Sequence, residues 1–301
     1  MKPYAIIVNP NAGRKKALRA ADDLEAALKT RKIPYQRFDT NASGEGEAIA
    51  ASLDLEAFGR LLVVGGDGTL NEVVRGLKDR TGIPVVVFPA GTGNDVARLL
   101  GVRTEEEALK AAVSGRLKHI DMGLANGVPF VNIFSFGLDA AIATQANLWK
   151  EKLPGWLLYP AALIKTVFSF RPMDIGITIV DDAGIESSRQ EKMMLVAVCN
   201  GSHYGGGMNI NPLADPQDGL LELCIVKAMP WWKIIALFPT VYSGKHLRFR
   251  EVSLERVKAV TIKTAQDMLM NRDGETWMDH QATISLAPEQ LQVLIPGKGE
   301  V

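Results

Sequence analysis

Val64-Gly65-Gly66-Asp67-Gly68-Thr69-Leu70-Asn71-Glu72 joins two kinds of sequence. Ahead of it, Leu61-Leu62-Val63-Val64 is an unbroken apolar run of the sort buried inside a parallel sheet. Behind it, Val73, Val74 and Leu77 recur at helical spacing. A glycine-rich turn between a strand and a helix is where an α/β protein holds phosphate. Glycine lets the backbone come close, and the helix start offers free N–H groups and a partial positive charge. Asp67 sets a carboxylate at the strand end, placed to hold a cation against phosphate oxygens. The turn is neither common phosphate motif. No Gly-x-x-x-x-Gly-Lys-Ser/Thr occurs, and the Gly-x-Gly that begins at Gly91 meets Val96 where its third glycine belongs.

Glycine and aspartate dominate turns of every kind, so one such turn decides little. Two more loops follow the same grammar. Ile6-Ile7-Val8 reads as a first strand and runs into Asn9-Pro10-Asn11-Ala12-Gly13. Val85-Val86-Val87-Phe88 reads as a third strand and runs into Pro89-Ala90-Gly91-Thr92-Gly93-Asn94-Asp95. Helical patterns fall between them, near 17–29 and 69–78. In a doubly wound fold the strand ends share one edge, so the spacing predicts three loops converging on one ligand. Arg14, Lys15 and Lys16 add positive charge beside the first loop, or are simply solvated.

The chain resembles the soluble bacterial diacylglycerol kinases, a family whose catalytic domain is shared with sphingosine and ceramide kinases. The residues that carry the likeness are Val8–Gly13, Gly65–Glu72, Pro89–Asp95, Asp121-Met122-Gly123, Asn200-Gly201 with Gly205-Gly206-Gly207, Asp218-Gly219-Leu220 and Asp273-Gly274-Glu275. The resemblance implies ATP- and Mg2+-dependent phosphorylation of a lipid hydroxyl, with diacylglycerol the first candidate. It implies nucleotide contacts from Asn9, Pro10, Asn11, Ala12, Gly13, Thr40, Gly65, Gly66, Asp67, Gly68, Thr69, Asn71, Glu72, Thr92 and Asp95. On the residues alone, Thr40 is only a loop hydroxyl. Asn71 and Glu72 are as consistent with a helix start as with a ligand.

Phosphorylating an alcohol needs a group to take the hydroxyl proton. The resemblance puts that base at Glu275, with Asp273 beside it. Without the resemblance, Arg272-Asp273-Gly274-Glu275 reads as a plain hairpin turn. Asp67, Asp95, Asp121 and Asp273 each sit within two residues of glycine or asparagine, and the family's aspartates at these motifs support the metal and water network around ATP. The family also has a structural Mg2+ at the Asn211–Leu220 loop. That implies ligation by the Asp218 side chain with the carbonyls of Asp215 and Leu220, to which Asp215 adds a second carboxylate.

The first 120 or so residues alternate strand and helix, which predicts a parallel sheet covered by helices. Thr104 stands as the cap of a helix over 104–114, with Glu105-Glu106-Glu107 in its first turn. After residue 125 the pattern becomes short β-rich runs: Pro129–Ser135, Ile175–Val180, Met194–Cys199, Leu220–Val226, Val257–Thr264 and Thr283–Leu286. The expected architecture is an α/β nucleotide-binding domain over 1–124, like those of 6-phosphofructokinase and NAD kinase, and a mainly antiparallel β-sandwich over 125–289. The resemblance implies that 290–301 returns to the first domain and that the active site lies in the cleft between the two. Residues 140–170 and 230–247 break the β pattern and read as partly helical. Trp149, Trp156, Tyr159, Trp231 and Trp232 lie there near Lys150, Lys152, Lys165 and Lys233, as they would on a membrane surface, in the core or across a homodimer.

Composition excludes several classes. Of 301 residues 47% are hydrophobic and 23% charged, a globular balance. Basic and acidic residues number 34 each, so no global charge draws the chain to nucleic acid. No signal-peptide pattern opens it, and no apolar window reaches the length of a bilayer span. Cys199 and Cys224 lie in apolar strand-like runs and read as buried thiols of a cytoplasmic protein. The four histidines lack zinc spacing, and no Gly-x-Ser-x-Gly elbow occurs. The rivals that remain are a kinase of another lipid alcohol (monoacylglycerol, phosphatidylglycerol or a sphingoid base), an NAD-kinase-like small-molecule kinase, and a nucleotide- or lipid-sensing protein with little turnover.

Overall fold

A computed structural model describes residues 1–149 and 152–297. Lys150, and the side chains of Arg14 and Trp156, lie outside what it describes. In chain order the first elements are β1 (Tyr4–Val8), α1 (Lys16–Thr30), β2 (Tyr35–Asp39), α2 (Glu45–Ser52), β3 (Arg60–Gly65), α3 (Asp67–Leu77), β4 (Val85–Pro89), α4 (Asp95–Leu99), α5 (Glu105–Ser114) and β5 (Arg116–Ile120). Then come β6 (Gly123–Ala125), β7 (Val128–Phe130), β8 (Ile133–Gly137), α6 (Leu138–Trp149), α7 (Gly155–Val167), β9 (Met173–Asp181) and β10 (Glu186–Cys199). The last are β11 (His203–Tyr204), β12 (Met208–Asn209), β13 (Leu221–Lys227), α8 (Trp231–Val241), β14 (Val252–Arg272), β15 (Glu275–Leu286) and β16 (Leu291–Ile295). Contacts divide them into two compact units, Met1–Met122 with the segment from Pro288 onward, and Gly123–Ala287.

The first unit is a six-stranded sheet in the order β2-β1-β3-β4-β16-β5. β2, β1, β3, β4 and β16 run parallel, and β5 closes the edge antiparallel to β16. β1, β3 and β4 are apolar because both faces of the sheet are covered, and Ile6, Ile7, Leu61 and Leu62 are fully buried. At α5 the cap is reciprocal. Thr104 Oγ1 accepts the Glu107 N–H at 3.1 Å, and Glu107 Oε2 accepts the Thr104 N–H at 3.0 Å. Thr104→Ala is expected to lower stability by about 1 kcal/mol, read as a shift of the denaturant midpoint with turnover unchanged.

The second unit is antiparallel throughout its main sheet, with β13-β10-β8-β14-β15-β6-β7 in order and β9 bridging β10 and β14. Two apolar cores lie on its faces. One gathers Phe134, Phe136, Ile177, Val196 and Val260 between strands. The other packs Leu138, Ile142, Leu163, Ile234 and Leu237 of α6, α7 and α8 against Ala197, Cys199 and Cys224. β10 feeds both, alternating Val196 and Val198 to one face with Ala197 and Cys199 to the other. The cysteines are buried and free. The fold class read from sequence, a parallel-sheet α/β domain followed by an antiparallel β-sandwich, is the one observed.

Local differences have physical reasons. The expected strand Pro129–Ser135 is two strands, β7 and β8, because the N–H groups of Val131, Asn132 and Ile133 turn to the Asp273 carboxylate. The expected Val257–Thr264 is part of a 21-residue strand whose first residues, Val252–Val257, pair with β13 and whose last, Met270–Arg272, pair with β15 and β8. Among the described residues no helix is long and apolar enough to cross a membrane.

Candidate active site

The three loops of the first unit meet, and glycine is what lets them. A Cβ on Gly13 would fall 2.1 Å from the carbonyl oxygen of Ala90. One on Gly91 would fall 2.4 Å from Gly66 Cα, and one on Gly93 would fall 2.9 Å from Asp67 Oδ2. Polar bonds add to this apposition. Asn9 Nδ2 donates to Thr69 Oγ1 at 3.2 Å, and Ala90 N–H donates to the Gly65 carbonyl at 2.9 Å. Asn9 Oδ1 accepts the Asn11 N–H at 3.1 Å, which folds Pro10, Asn11 and Ala12 back over the strand end. Thr40 is buried at the end of β2 beside this loop, its N–H on the Val8 carbonyl at 2.8 Å. Thr92 and Gly68 stand open, whereas Thr69 and Asn71 are buried.

Asp67 sits at the centre of this edge, and its Oδ1 accepts the Val96 N–H at 3.1 Å. Burial pushes its carboxyl up. The N–H of Val96 pulls it back, the Asp95 charge raises it again, and the N–H groups of Asp95 and Asn94 lower it. Asp95 is buried beside it and paired with Arg98 at 2.6 Å. Asn94, held at φ +52°, accepts the Gly91 N–H at 2.8 Å and donates to the Gly91 carbonyl at 2.9 Å. In the sequence Asn94 is one more polar residue of the third loop, with no mark of this brace. Asn is among the few residues that adopt that conformation readily. Asp121, at the end of the first unit's β5, accepts from Gln290 Nε2 at 2.7 Å.

Glu72 faces another way. Its Oε1 accepts the Gly44 N–H at 2.9 Å and its Oε2 the Gly46 N–H at 3.0 Å, so it caps α2 from α3. Glu72→Ala is expected to cost about 1–2 kcal/mol of stability and to change ATP affinity less than twofold, checked by chemical denaturation beside a nucleotide titration.

In the second unit, the Asp-Gly-Glu turn links β14 to β15 with Asp273 at φ +48° and Gly274 at φ +95°. Asp273 is a pin. Its carboxylate accepts N–H bonds from Val131 at 2.8 Å, Asn132 at 3.2 Å and Ile133 at 2.8 Å. Asn200 steadies the same segment, Nδ2 donating to the Val131 carbonyl at 2.7 Å. Glu275 is half exposed and accepts from Arg272 Nη2 at 2.9 Å. The Arg272 guanidinium lies 5.2 Å from the Trp277 ring centre. Ala125, Asn126, Val128, Arg272, Glu275, Thr276 and Trp277 line a cavity of about 440 Å³.

The Asp215–Leu220 loop offers only oxygen ligands, the right chemistry for a hard cation. As folded, its carboxylates are engaged by the protein's own groups. Asp218 Oδ1 accepts the Leu220 N–H at 3.0 Å, and its Oδ2 pairs with the Arg256 guanidinium. Asp215 Oδ1 accepts the Gln217 N–H at 3.2 Å. Glu222 behind them is pushed up to about 7, first by burial and further by Asp218 and Asp215, with Asn211 and Arg256 opposing. Arg256 thus faces the carboxylate to which the resemblance assigns Mg2+. Among the described residues no group of three or more His, Cys, Asp or Glu side chains converges as metal ligands.

Three apposed glycine loops on a parallel sheet, joined to an antiparallel unit that carries a carboxylate in a cavity, describe a two-unit phosphotransferase. The comparisons narrow that class. The diacylglycerol kinase catalytic domain family matches residues 3–125, and the YegS C-terminal NAD kinase beta sandwich-like domain family matches residues 132–295. A diacylglycerol kinase of Mycobacterium tuberculosis is 30% identical across 97% of this chain and 95% of its own length. A diacylglycerol kinase of Bacillus subtilis is 28% identical across 91% of this chain and 90% of its own. The crystal structure of a diacylglycerol kinase from Bacillus anthracis, 22% identical, covers 98% of this chain and 97% of that one with a TM-score of 0.72, a likeness of fold. The chain belongs to the family of diacylglycerol kinase-like lipid kinases.

Proposed function

We propose that this lipid kinase transfers the γ-phosphate of ATP, with Mg2+, to the hydroxyl of diacylglycerol, releasing phosphatidic acid and ADP. The observation that carries the reading is the close apposition of Gly13 with Ala90, Gly66 with Gly91, and Gly93 with Asp67. Such contact leaves backbone N–H groups of three loops along one edge, free of side-chain bulk, as a phosphate chain requires. Asn9 to Gly13, Gly65 to Thr69 and Thr92 to Asp95 carry the nucleotide. Glu72, occupied with α2, serves the fold.

Asp67 and Asp95 are the residues that fit a catalytic Mg2+. They are neighbouring carboxylates, and burial and mutual repulsion raise Asp67. Held there, the ion would neutralise charge developing on the transferred phosphate. Glu275 takes the proton of the acceptor hydroxyl as its oxygen attacks phosphorus, and Arg272 orients the carboxylate. The cavity beside Glu275 has apolar walls at Ala125, Val128 and Trp277 and polar groups at Asn126 and Thr276, which suits the glycerol end of a lipid. Asp273 shapes the turn. The exposed Ile164, Phe168, Trp231 and Trp232, with the Phe168 and Trp231 rings tilted against each other at 5.1 Å between centres, suit contact with a membrane surface, where the substrate resides.

The test is transfer of labelled γ-phosphate into diacylglycerol, monoacylglycerol, phosphatidylglycerol and a sphingoid base in mixed micelles, with and without Mg2+. Labelling of diacylglycerol above the others, lost without Mg2+, is the expected result. Labelling of another lipid keeps the chemistry and corrects the acceptor. No labelling despite ATP binding overturns the reading in favour of a sensor.

A further inference from the structure

Asp139, at the start of α6, is buried, and the partners of its carboxylate are hydroxyls. Ser135 Oγ donates to it at 2.5 Å and the Tyr204 hydroxyl at 2.6 Å. Ser135, fully buried on β8, accepts in turn from Asn271 Nδ2 at 3.3 Å. Asn271, buried on β14, accepts the Gly274 N–H on its Oδ1 at 3.0 Å. The chain of bonds therefore runs from a buried carboxylate to the middle of the Asp-Gly-Glu turn, one residue short of Glu275.

The order of donors is fixed from the carboxylate outward. The Ser135 hydroxyl gives its one proton to Asp139, so toward Asn271 it can only accept. Asn271 must then present its NH2 to Ser135 and its carbonyl oxygen to the Gly274 N–H. Reversing the amide would set NH2 against N–H. A buried polar network in which every bond is made is rigid and admits one arrangement. Apolar residues of similar size would fill this space at lower desolvation cost, so the network answers a positional need.

The turn has that need. Asp273 and Gly274 both lie in the left-handed region, which a non-glycine residue adopts at a cost and holds only when its surroundings enforce it. Asp273 pins the turn through the N–H groups of Val131 to Ile133, and Asn271 pins it independently through Gly274. We propose that Asn271, braced by Ser135 and Asp139, is a positioning residue for Glu275. It fixes the turn so that the carboxylate is held at the cavity with Arg272. The proposal rests on Glu275 being the proton acceptor.

The experiment measures kcat, KM for ATP and the thermal midpoint for Asn271→Ala, Ser135→Ala, Ser135→Thr and Glu275→Gln, with the lipid the wild-type enzyme labels best. Asn271→Ala is expected to lower kcat about 10- to 100-fold, as displacement of a catalytic group by about 1 Å does, with ATP KM within about twofold. Ser135→Ala should lower kcat less, and Ser135→Thr, which restores the hydroxyl, should recover most of it. A general loss of fold would move KM and the midpoint in step with kcat and would not follow the hydroxyl. If Asn271→Ala keeps kcat within about twofold while Glu275→Gln is inactive, the positioning role is wrong and the base assignment stands. Should Asn271→Ala not fold, wild-type kcat in Ser135→Ala overturns the role equally. Full turnover in Glu275→Gln removes the base assignment and the proposal with it.

Discussion

Alanine at Gly13 is expected to cost about 2–4 kcal/mol of stability and at least about tenfold in ATP affinity. Two effects combine. Gly13 holds φ +58°, where a side chain is strained whatever the space. Its Cβ would also fall 2.1 Å from the Ala90 carbonyl oxygen and 3.2 Å from the Ala90 carbonyl carbon. Those are backbone atoms and cannot rotate aside. Ala90 is tied to Gly65 through its N–H, so moving it drags the third loop off the second, where Gly91 and Gly66 already touch. The control is Gly101→Ala. Gly101 has a similar φ of +74° but nothing within 4 Å of the added Cβ. It should cost only the backbone share, about 1 kcal/mol, and leave nucleotide binding alone. Denaturant midpoints and calorimetric ATP titrations separate the two. Equal losses from both variants would mean that loop apposition has no part in binding.

The strands of the parallel sheet are legible because burial on both faces writes them as continuous apolar runs, from Tyr4–Val8 to Val85–Pro89. Their loops are legible as glycine clusters. What sequence spacing cannot give is which group each side chain meets across the fold. Glu72 sits inside the glycine turn yet caps a helix start 26 and 28 residues earlier in the chain. Asp273 reads as one more aspartate for the nucleotide's metal, and the structure spends its carboxylate on the backbone of 131–133. Asp218 reads as a cation ligand, and nothing in the spacing announces that Arg256, 38 residues on, reaches it. The β-rich half is under-read because strand ends such as Glu186–Lys192 are polar and pair beyond the apolar core. Asp139 leaves a trace in the sequence, a single carboxylate inside Phe134-Ser135-Phe136-Gly137-Leu138-Asp139-Ala140. A charge in such a run must be solvated, paired or hydrogen-bonded, which is reason enough to ask what it holds.

Glu275→Gln is expected to lower kcat about 10²- to 10⁴-fold while ATP affinity stays within about twofold. Glutamine keeps the size of the side chain and can still accept from Arg272 Nη2, so the turn and the cavity should persist. It loses the capacity to take a proton, the one property that the proposed base role demands of this position. The split between binding and turnover is what gives the substitution its force. A kinase that uses Glu275 as base loses transfer and keeps nucleotide. A sensor keeps nucleotide too, but has no turnover to lose, so the wild-type rate in the same assay separates them. Arg272→Ala supplies the complementary arm: it removes the partner but leaves the carboxylate, so kcat should fall less than in Glu275→Gln. If Glu275→Gln instead retains near-wild-type kcat with a raised lipid KM, the residue binds the acceptor, and the proton leaves by another route.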